Sequence, residues 1–378
     1  MLTTWASRRS NLVAAAVSAV CALLPAARAA HAAPPYPLSL AITGMTLHWS
    51  TYRRLAPNSD NWPSTWAGDG FVYTSFGDGT GFGRNRMSLG FARLAGSSAR
   101  TIRGVNLPGR APDGKSYGVL ALGHTLYAFV SPGSGATNYD EARLYAAPLG
   151  TNAWRPSSWA FAKDDPAHLI LPTFLQAGRD YAGGGLYVYV YARHHAPTGV
   201  DLSVQDGPDS GEIALLRANR AGLMDRASWQ YFGGLDAGGV PQWSSDPGAI
   251  SPVITDPSGV GRTVSAIRDA PLGRYLVATE HDISHASQFT LLEAPEPWGP
   301  WRTVAYSTLE DPRRRVETRS FHYSFLPNSL SADGKRFTLA FTGAGNGDAL
   351  NHVDGTFATA APPPRGKHPQ PTSHGAPR

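Results

Sequence analysis

Five short runs of apolar and aromatic residues recur along the chain, each with the length and composition of a β-strand. They occupy residues 71–76, 125–130, 186–191, 274–279 and 336–341. β-Branched and aromatic residues dominate the runs, and segments rich in Gly, Pro, Asn and Asp separate them, which is typical of strands joined by turns. A shorter run of the same kind at 41–50 precedes them. The pattern therefore predicts a chain built mainly from strands.

The five runs belong to five similar segments, most of which close with a tryptophan. These segments span 66–105, 117–161, 169–232, 249–306 and 323–357. A segment of this length accommodates a four-stranded blade, and blades repeated around an axis form a propeller. We therefore expect an all-β, five-bladed β-propeller. A helical interruption is expected at 220–229, and a surface loop at 196–211.

Composition agrees with this interpretation. The 378 residues include 41 Gly and 31 Pro, which disfavour long helices. Cys21 is the only cysteine and lies near the N-terminus, so the rest of the chain can form no internal disulfide and no thiolate metal site. A chain of this length can instead be held together by its hydrophobic core.

The two ends of the chain differ from the part between them. Residues 1–33 combine Arg8 and Arg9, an apolar run and small residues, as in a signal peptide for the general secretory or the twin-arginine route. The apolar run is short for a membrane span. The Pro-rich residues 361–378 are expected to form a disordered tail. We therefore predict a propeller domain at 34–360, secreted or periplasmic, with no membrane association after signal cleavage.

The net charge of +5 comes from the ends. Residues 1–33 and 361–378 carry six basic residues and no acidic ones, which leaves 27 basic against 28 acidic residues between them. Nucleic-acid grooves need basic residues concentrated on one surface. We therefore expect no nucleic-acid partner, and we expect a monomer.

The stretch 59–83 carries the most suggestive chemistry, with aspartates at positions 60, 69 and 78 among glycines and aromatics. Asp60 precedes the 71–76 strand and Asp78 follows it, so one hairpin could bring both carboxylates to the same face. Two carboxylates a few ångströms apart are the equipment for glycosidic bond hydrolysis. Asp69 precedes Gly70 and is better explained as a turn residue. Asp60 and Asp78 are therefore the predicted catalytic residues, with turn roles as the alternative.

Further residues beside strands are candidates for binding substrate around the propeller axis. They are Asn61, Trp62, Asp180, Tyr181, Asp246, Glu280 and His281. A structural ion pair is the alternative for Asp180. Aromatic rings can stack on the C–H faces of sugars, and the aromatic candidates are Trp62, Trp66, Tyr181, Tyr189, Trp243, Trp298 and Trp301. Most propeller tryptophans belong to the core; Trp62 is the favoured platform because it adjoins Asp60.

Several common catalytic motifs are missing from the sequence. It contains no Gly-x-Ser-x-Gly, no Walker loop, no His-Glu-x-x-His and no dinucleotide fingerprint between a strand and a helix. His194 with His195, and Glu280 with His281, lack a metal-ligand spacing. We therefore predict no metal site and no cofactor.

Several of these motifs together resemble one family of proteins. The stretches that carry the resemblance are 60–66 (DNWPSTW), 73–79, 178–182, 234–236, 293–301 and 331–341. The chain resembles a bacterial and fungal family of five-bladed propellers, long catalogued as a domain of unknown function, that includes endo-D-arabinanases. The resemblance covers most of residues 58–358. It implies an arabinan-like substrate, and the acidic pair proposed for catalysis in the family matches Asp60 and Asp78. Gly68 departs from the family pattern, in which an acid is expected beside Asp69.

The leading hypothesis is thus a secreted glycoside hydrolase that cleaves a furanosyl polysaccharide, or oligosaccharides of it. One aspartate would act as the general acid and the other as nucleophile or base. A non-catalytic carbohydrate-binding propeller is the first alternative. The second is a polysaccharide lyase in which Tyr181 works with Arg179 or His281.

Overall fold

The computed structural model describes residues 33–131, 141–162, 165–194, 211–261, 263–282, 286–309, 320–343 and 347–360. The predicted tail, the predicted signal peptide up to residue 32 and nearly all of the 196–211 loop lie outside these residues, so the predictions made for them stay predictions. Within the described ranges, no helix is long and apolar enough to cross a membrane.

The chain folds into five antiparallel sheets that follow one another along the sequence. Blade 1 contains β3 (Ser64–Trp66), β4 (Val72–Gly79), β5 (Met87–Ala95) and β6 (Arg103–Asn106), and blade 2 contains β7 (Lys115–Leu122), β8 (Thr125–Ser131), β9 (Glu141–Pro148) and β10 (Arg155–Ala162). Blade 3 contains β11 (Leu169–Gln176), β12 (Tyr187–His194), β13 (Glu212–Asn219) and β14 (Trp229–Leu235), with the short β15 (Pro241–Ser244) and β16 (Ile254–Thr255) added at its edges. Blade 4 contains β17 (Ser265–Asp269), β18 (Arg274–Thr279), β19 (Gln288–Ala294) and β20 (Arg302–Thr308).

Blade 5 joins the two ends of the described chain. It contains β21 (Ser320–Phe325), β22 (Arg336–Gly343) and β23 (Leu350–Thr359), and its fourth strand is β1 (Ile42–Leu47), which pairs with β23. The short β2 (Arg53–Leu55) also pairs with β23. The predicted all-β, five-bladed β-propeller is therefore confirmed, and the strand-like run at 41–50 provides its closing strand.

The first strand of each blade lies innermost. The strands β11 and β17 pair in parallel across the boundary between blades 3 and 4, with Leu175 opposite Ala266. A cavity of about 20 Å³, room for one water, is lined by residues of all five first strands, including Ser64, Val119, Thr173, Ser265 and Ser324. The five apolar runs recognised in the sequence are the second strands of the blades, so they do not line the axis themselves.

Two faces follow from this arrangement. We call the end where the first strands begin the upper face, and the end where they finish the lower face. Each second strand runs back towards the upper face, as β4 does against β3, with Trp66 opposite Val72. Residues just before a first strand and just after a second strand therefore share the upper face.

The predicted helix at 220–229 is instead two short 3₁₀ turns, Arg220–Gly222 and Arg226–Ser228. Asn219 accepts a hydrogen bond from the Ala221 amide, and Asp225 accepts one from the Ala227 amide. Two caps six residues apart each begin a separate turn, which explains why no continuous helix forms. The other 3₁₀ turns of the described chain are Trp49–Thr51, Arg179–Tyr181 and Pro247–Ala249.

Candidate functional site

Asp60 and the end of β4 meet on the upper face. Asp60 and Gly77 exchange two backbone hydrogen bonds, with N···O distances of 2.9 Å and 2.7 Å. Such a pair places the two Cα atoms about 5.5 Å apart, so the Asp60 side chain lies beside Gly77, the residue that precedes Asp78. The hairpin predicted from the sequence therefore brings the two aspartates to the same place.

Gly77 is the point on which three polar side chains converge. A Cβ atom at Gly77 would overlap Asp60 Oδ1 and would lie 3.3 Å from Asn61 Nδ2 and 3.4 Å from Lys115 Nζ. Asn61 Nδ2 also donates a hydrogen bond to Asp60 Oδ1 at 2.9 Å. The absence of a side chain at this position is what allows the cluster to form.

A buried lysine, Lys115, completes the cluster. Its ammonium group forms an ion pair with Asp78 Oδ1 and donates to the Ser88 carbonyl at 3.1 Å. The Lys115 side chain is only 9% exposed, whereas that of Asp78 is 52% exposed. Because the ammonium also lies close to Gly77, the two carboxyl groups are at most about 8 Å apart, which is no farther than in inverting glycosidases.

Sequence reasoning missed Lys115. It begins β7, whose other residues are almost all buried. A lysine at the start of a buried strand is unusual, because burying an ammonium group requires a partner. A lysine at the start of an apolar strand was therefore the sequence feature from which Lys115 could have been identified.

A layer of buried side chains lies next to this cluster on the inner strands. The strands β7, β11 and β21 each contain a register shift, at Ser116/Gly118, Ile170/Thr173 and Phe321/Ser324. Such bulges re-aim side chains. The residues at or beside them include Tyr117, Ile170 and Leu171, which pack together, and His322, whose ring lies 6.1 Å from that of Tyr117. None of these four residues lines the axial cavity.

His322 was also missed from the sequence. It is almost fully buried and has a left-handed backbone, with φ of 53°. Its Nδ1 accepts a hydrogen bond from the Trp62 amide at 3.1 Å. Burial lowers the pKa of His322 to about 3, so the ring is neutral at ordinary pH and carries its proton on Nε2. The histidine therefore anchors blade 5 to the start of blade 1.

Trp62 does not offer a sugar platform. It is 1% exposed and packs against Phe76 and Phe82, with ring centroids 5.5 Å and 6.1 Å away. A ring enclosed in this way has no free face on which a sugar could stack. The platform prediction for Trp62 is therefore corrected, since the residue belongs to the core. Asn61 is also buried and holds Asp60 through its amide.

Asp180 and Tyr181 lie near the lower face, away from Asp60. Asp180 Oδ1 accepts a hydrogen bond from the Gly123 amide at 2.7 Å, so it closes a turn between blades 2 and 3. Tyr181 is 1% exposed, its hydroxyl accepts from the Tyr189 amide at 3.0 Å, and burial raises its pKa. The structure does not bring these two residues to the aspartate pair. Asp180 follows β11, the first strand of blade 3, so it lies on the lower face and not on the upper face with Asp60 and Asp78.

Asp246 lies at the outer edge of blade 3, after β15. It caps the 3₁₀ turn Pro247–Ala249 by accepting a hydrogen bond from the Gly248 amide at 2.9 Å. Its role is that of a turn residue on the outside of the propeller, and the structure does not place it in the cluster.

Glu280 and His281 follow β18 and share the upper face with the aspartates. Glu280 is fully buried beside Gly261, and burial together with the Glu280 charge raises the pKa of Tyr323. His281 Nδ1 lies 2.8 Å from Thr290 Oγ1, and its ring stacks on Tyr306 at 3.7 Å. Both side chains are enclosed by protein, so they support the upper face from within.

The remaining aromatic candidates are distributed over the molecule. Trp301 is 4% exposed. Tyr189, Trp243 and Trp298 pack around the core of blades 3 and 4, with Trp243 and Trp298 at 6.3 Å. Trp66 is half-buried at the lower end of β3. Among the residues that the structure describes, no three His, Cys, Asp or Glu side chains are grouped closely enough to hold a metal ion.

The fold and the polar cluster define a five-bladed β-propeller with a pair of carboxylates at the end where its inner strands begin. No family model matches the sequence, and no curated protein matches it. Among solved structures, the chain is similar to a Bacteroides ovatus protein provisionally described as a hydrolase. The two share 11% identity and a TM-score of 0.51, over 80% of this chain and 87% of that one.

Two further solved structures align with lower scores. A GH43_1 enzyme from Xanthomonas citri shares 15% identity and a TM-score of 0.47, over 82% of this chain and 91% of that one. CoXyl43, a GH43 β-xylosidase/α-arabinofuranosidase from a compost microbial metagenome, shares 11% identity and a TM-score of 0.46. That alignment covers 82% of this chain and 95% of CoXyl43. The Bacteroides similarity supports the fold, and any assignment of activity rests on the site itself.

Proposed function

We propose that this protein is an exported glycoside hydrolase that cleaves a furanosyl polysaccharide of the arabinan type, with Asp60 and Asp78 as its catalytic pair. The observation that carries the proposal is the grouping of the Asp60, Asn61 and Lys115 side chains around Gly77, with Lys115 ion-paired to Asp78. The substrate class comes from the sequence resemblance of residues 60–66 and 73–79 to arabinan-cleaving propellers.

The two carboxyl groups differ in their surroundings, as acid and nucleophile usually do in glycosidases. Asp60 is half-buried, tied to Gly77 through its backbone and to Asn61 through its carboxylate. Asp78 is more exposed and is ion-paired with Lys115. One group would protonate the leaving glycosidic oxygen while the other attacks the anomeric carbon or activates a water.

Lys115 makes such a pair physically possible. Two anionic carboxylates at short range repel each other, and a nearby cation relieves that repulsion. Because Lys115 is buried and also bound to the Ser88 carbonyl, its position is fixed. The lysine therefore acts as a positioning residue that holds Asp78 next to Asp60.

A second candidate function is a carbohydrate-binding propeller without catalysis. The observation that favours it is the Asp78–Lys115 ion pair, which already occupies one of the two carboxylates. The lyase alternative, with Tyr181 beside Arg179 or His281, has less support, because Tyr181 is 1% exposed and its hydroxyl is already bound by the Tyr189 amide.

The test is release of reducing ends from arabinogalactan, lipoarabinomannan and plant arabinan by wild type, Asp60→Asn and Asp78→Asn. Asp69→Asn is a matched control from the same stretch, because Asp69 accepts hydrogen bonds from the Phe71 amide and the Tyr73 hydroxyl at the lower turn. We expect both site variants to lose about 10²–10⁴-fold in rate, with the control active.

Two outcomes would count against the proposal. Unchanged rates in Asp60→Asn or Asp78→Asn would remove that residue from the catalytic pair. If wild type releases no reducing ends while one glycan binds equally to all four proteins, the binding propeller is the better account.

A further inference from the structure

The lower face carries two depressions that adjoin at Leu330 and Ser331. The first has a volume of about 270 Å³ and lies at the ends of the inner strands. Its lining is mainly apolar and includes Trp66, Ile267, Arg268, Pro271, Pro327 and Ala332. The second has a volume of about 400 Å³ and lies between blade 5 and the 96–101 turn of blade 1. Its lining is rich in hydroxyl groups, among them Ser97, Ser98, Ser329, Thr338 and Thr356.

This surface is remote from the aspartate pair. Asp60 pairs with Gly77 near the end of β4, whereas Trp66 pairs with Val72 at its start. Five residues of a β-strand span about 17 Å. A ligand in the lower depressions therefore cannot touch the upper cluster unless it is long enough to pass around the rim.

The lining of the two depressions suits a saccharide. A sugar ring has an apolar C–H face and a hydroxylated edge, so it needs an apolar or aromatic wall beside polar groups. Trp66 and the prolines supply the wall, and the serine and threonine hydroxyls can each donate and accept hydrogen bonds. The combined size is within the range of small-molecule sites.

Charged groups are few in this lining, and most of them are engaged within the protein. Asp354 Oδ1 accepts hydrogen bonds from the Ala99 amide at 2.7 Å and from Thr338 Oγ1 at 2.8 Å. Arg268 donates to the Gly183 carbonyl, and His48 Nε2 lies 3.3 Å from Thr356 Oγ1. Arg336 is exposed. Because hydroxyl groups outnumber the charged groups, the lining favours a neutral, hydroxylated ligand over a strongly charged one.

We propose that the lower face is a second saccharide-binding site, which holds a neutral glycan chain without cleaving it. Asp354 is the single carboxylate that lines the two depressions, so the pair required for glycoside hydrolysis is missing there. The identity of the glycan rests on the proposed function, whereas the existence of the site is argued only from the residues that line the two depressions.

A second site changes how a long substrate is handled. A polymer bound at the lower face raises its own local concentration at the upper cluster, whereas a short oligosaccharide cannot occupy both sites at once. The site therefore increases affinity for the polymer while leaving the turnover of short chains unchanged.

The test uses variants that block the depressions at exposed positions. Ala332→Glu introduces a larger charged side chain into the first depression, and Ser97→Arg does the same in the second. Ala95→Glu is the matched control, because Ala95 is an exposed alanine that lines neither depression. Each change is combined with Asp60→Asn and Asp78→Asn so that binding is measured without cleavage.

Titration calorimetry with short arabino-oligosaccharides should give two binding sites in the control and one in Ala332→Glu. The affinity of the Ala332→Glu protein for arabinogalactan should be roughly tenfold or more below that of the control. In proteins that keep both aspartates, Ala332→Glu should slow the release of reducing ends from the polymer and leave that from short oligosaccharides unchanged.

A stoichiometry of one in the control, or of two in both Ala332→Glu and Ser97→Arg, would overturn the second site even if hydrolysis is observed. If instead no glycan is cleaved but oligosaccharide binding is lost in Ala332→Glu, the proposed hydrolase fails and the lower-face site stands.

Discussion

The candidate site depends on a residue that has no side chain. Gly77 lies where Asp60 Oδ1, Asn61 Nδ2 and Lys115 Nζ come together. Interior atoms cannot move apart freely, because the surrounding protein is closely packed. A single methyl group at this position should therefore disturb the geometry of the whole cluster.

We expect Gly77→Ala to lower the rate of glycan hydrolysis at least tenfold, because the new Cβ overlaps Asp60 Oδ1 and misplacing a reacting group costs up to about 10² in rate. Gly44→Ala is the control, since a Cβ there would meet nothing nearer than 4.0 Å. Activity assays and circular dichroism separate loss of the site from loss of the fold. Full activity in Gly77→Ala would contradict the assigned geometry.

Trp62 yields a prediction about stability. The buried indole packs on Phe76 and Phe82, so Trp62→Ala should lower the free energy of unfolding by about 3–5 kcal/mol. Trp62→Phe keeps an aromatic ring against Phe76 and should cost markedly less. Urea denaturation measures both variants. A variant that loses glycan affinity with unchanged stability would restore Trp62 as a sugar platform.

Among individual residues, the sequence predicted the proximity of Asp60 and Asp78 but not the lysine beside them. Asp60 and Asp78 flank one strand, so their proximity follows from local chain geometry. Lys115 comes from the next blade, and only the tertiary fold brings it to them. Asp180 was grouped with the pair wrongly, because the sequence alone does not tell whether a strand is the first or the second of its blade.

Individual strands differ in how clearly the sequence marks them. The second strands are regular and buried, so their apolar character is continuous, as in β12 and β18. The first strands are short, as in β3, or interrupted by bulges, as in β11 and β21. A bulge shifts the alternation of side chains by one residue, which hides the strand from a periodicity argument.

The closing strand β1 makes contacts on two blades. It pairs with β23 through residues from Ile42 to Leu47, and the residues just before it reach blade 4, where Ser39 donates its amide to the Thr303 carbonyl at 2.8 Å. Ser39 Oγ also donates to Glu293 Oε1 at 2.6 Å. The N-terminal segment therefore fastens blades 4 and 5 together.

Ile42→Ala should lower the free energy of unfolding by about 2–5 kcal/mol, because Ile42 is 1% exposed in the core of blade 5. Thr46→Ala in the same strand is exposed and should change it by less than about 0.5 kcal/mol. Chemical denaturation of both variants provides the comparison. Equal effects would show that β1 contributes little to closing the ring.

For the whole molecule, buried titratable groups predict how stability depends on pH. Burial lowers the pKa of His322 to about 3 and that of His352 to about 4. The unfolded chain therefore binds more protons than the folded one between pH 6.5 and those values, and stability falls as the pH falls. Asp269 acts in the opposite direction, because burial raises its pKa to about 6 and acidification below pH 6 relieves the cost of its charge.

Asp256 acts in the same direction as Asp269, because burial raises its pKa as well. The histidine shifts are the larger ones, so we expect a net loss of at most about 3 kcal/mol between pH 6.5 and pH 4. His352→Gln can keep the hydrogen bond to the Ala99 carbonyl and should make this loss markedly smaller. Urea denaturation at both pH values measures the effect. Equal stability of wild type at the two values would refute the assignment of these histidines as neutral in the fold.

The number of blades was the feature that the sequence predicted best, because each blade repeats the same apolar strand and turn composition. The identity of the fourth strand of blade 5 could not be read in this way, since β1 and β23 lie at opposite ends of the chain. Pairing between distant segments leaves no local pattern in the sequence, and only the closed ring reveals it.

The same pairing sets an order of events during biosynthesis. Ile42 finds its partner Thr359 only after the more than 300 residues between them have been made, so the ring cannot close before residue 359 is synthesised. Contacts between such distant residues form slowly. A nascent chain would thus keep its last blade open until residue 359 has been synthesised, however early the other four blades form.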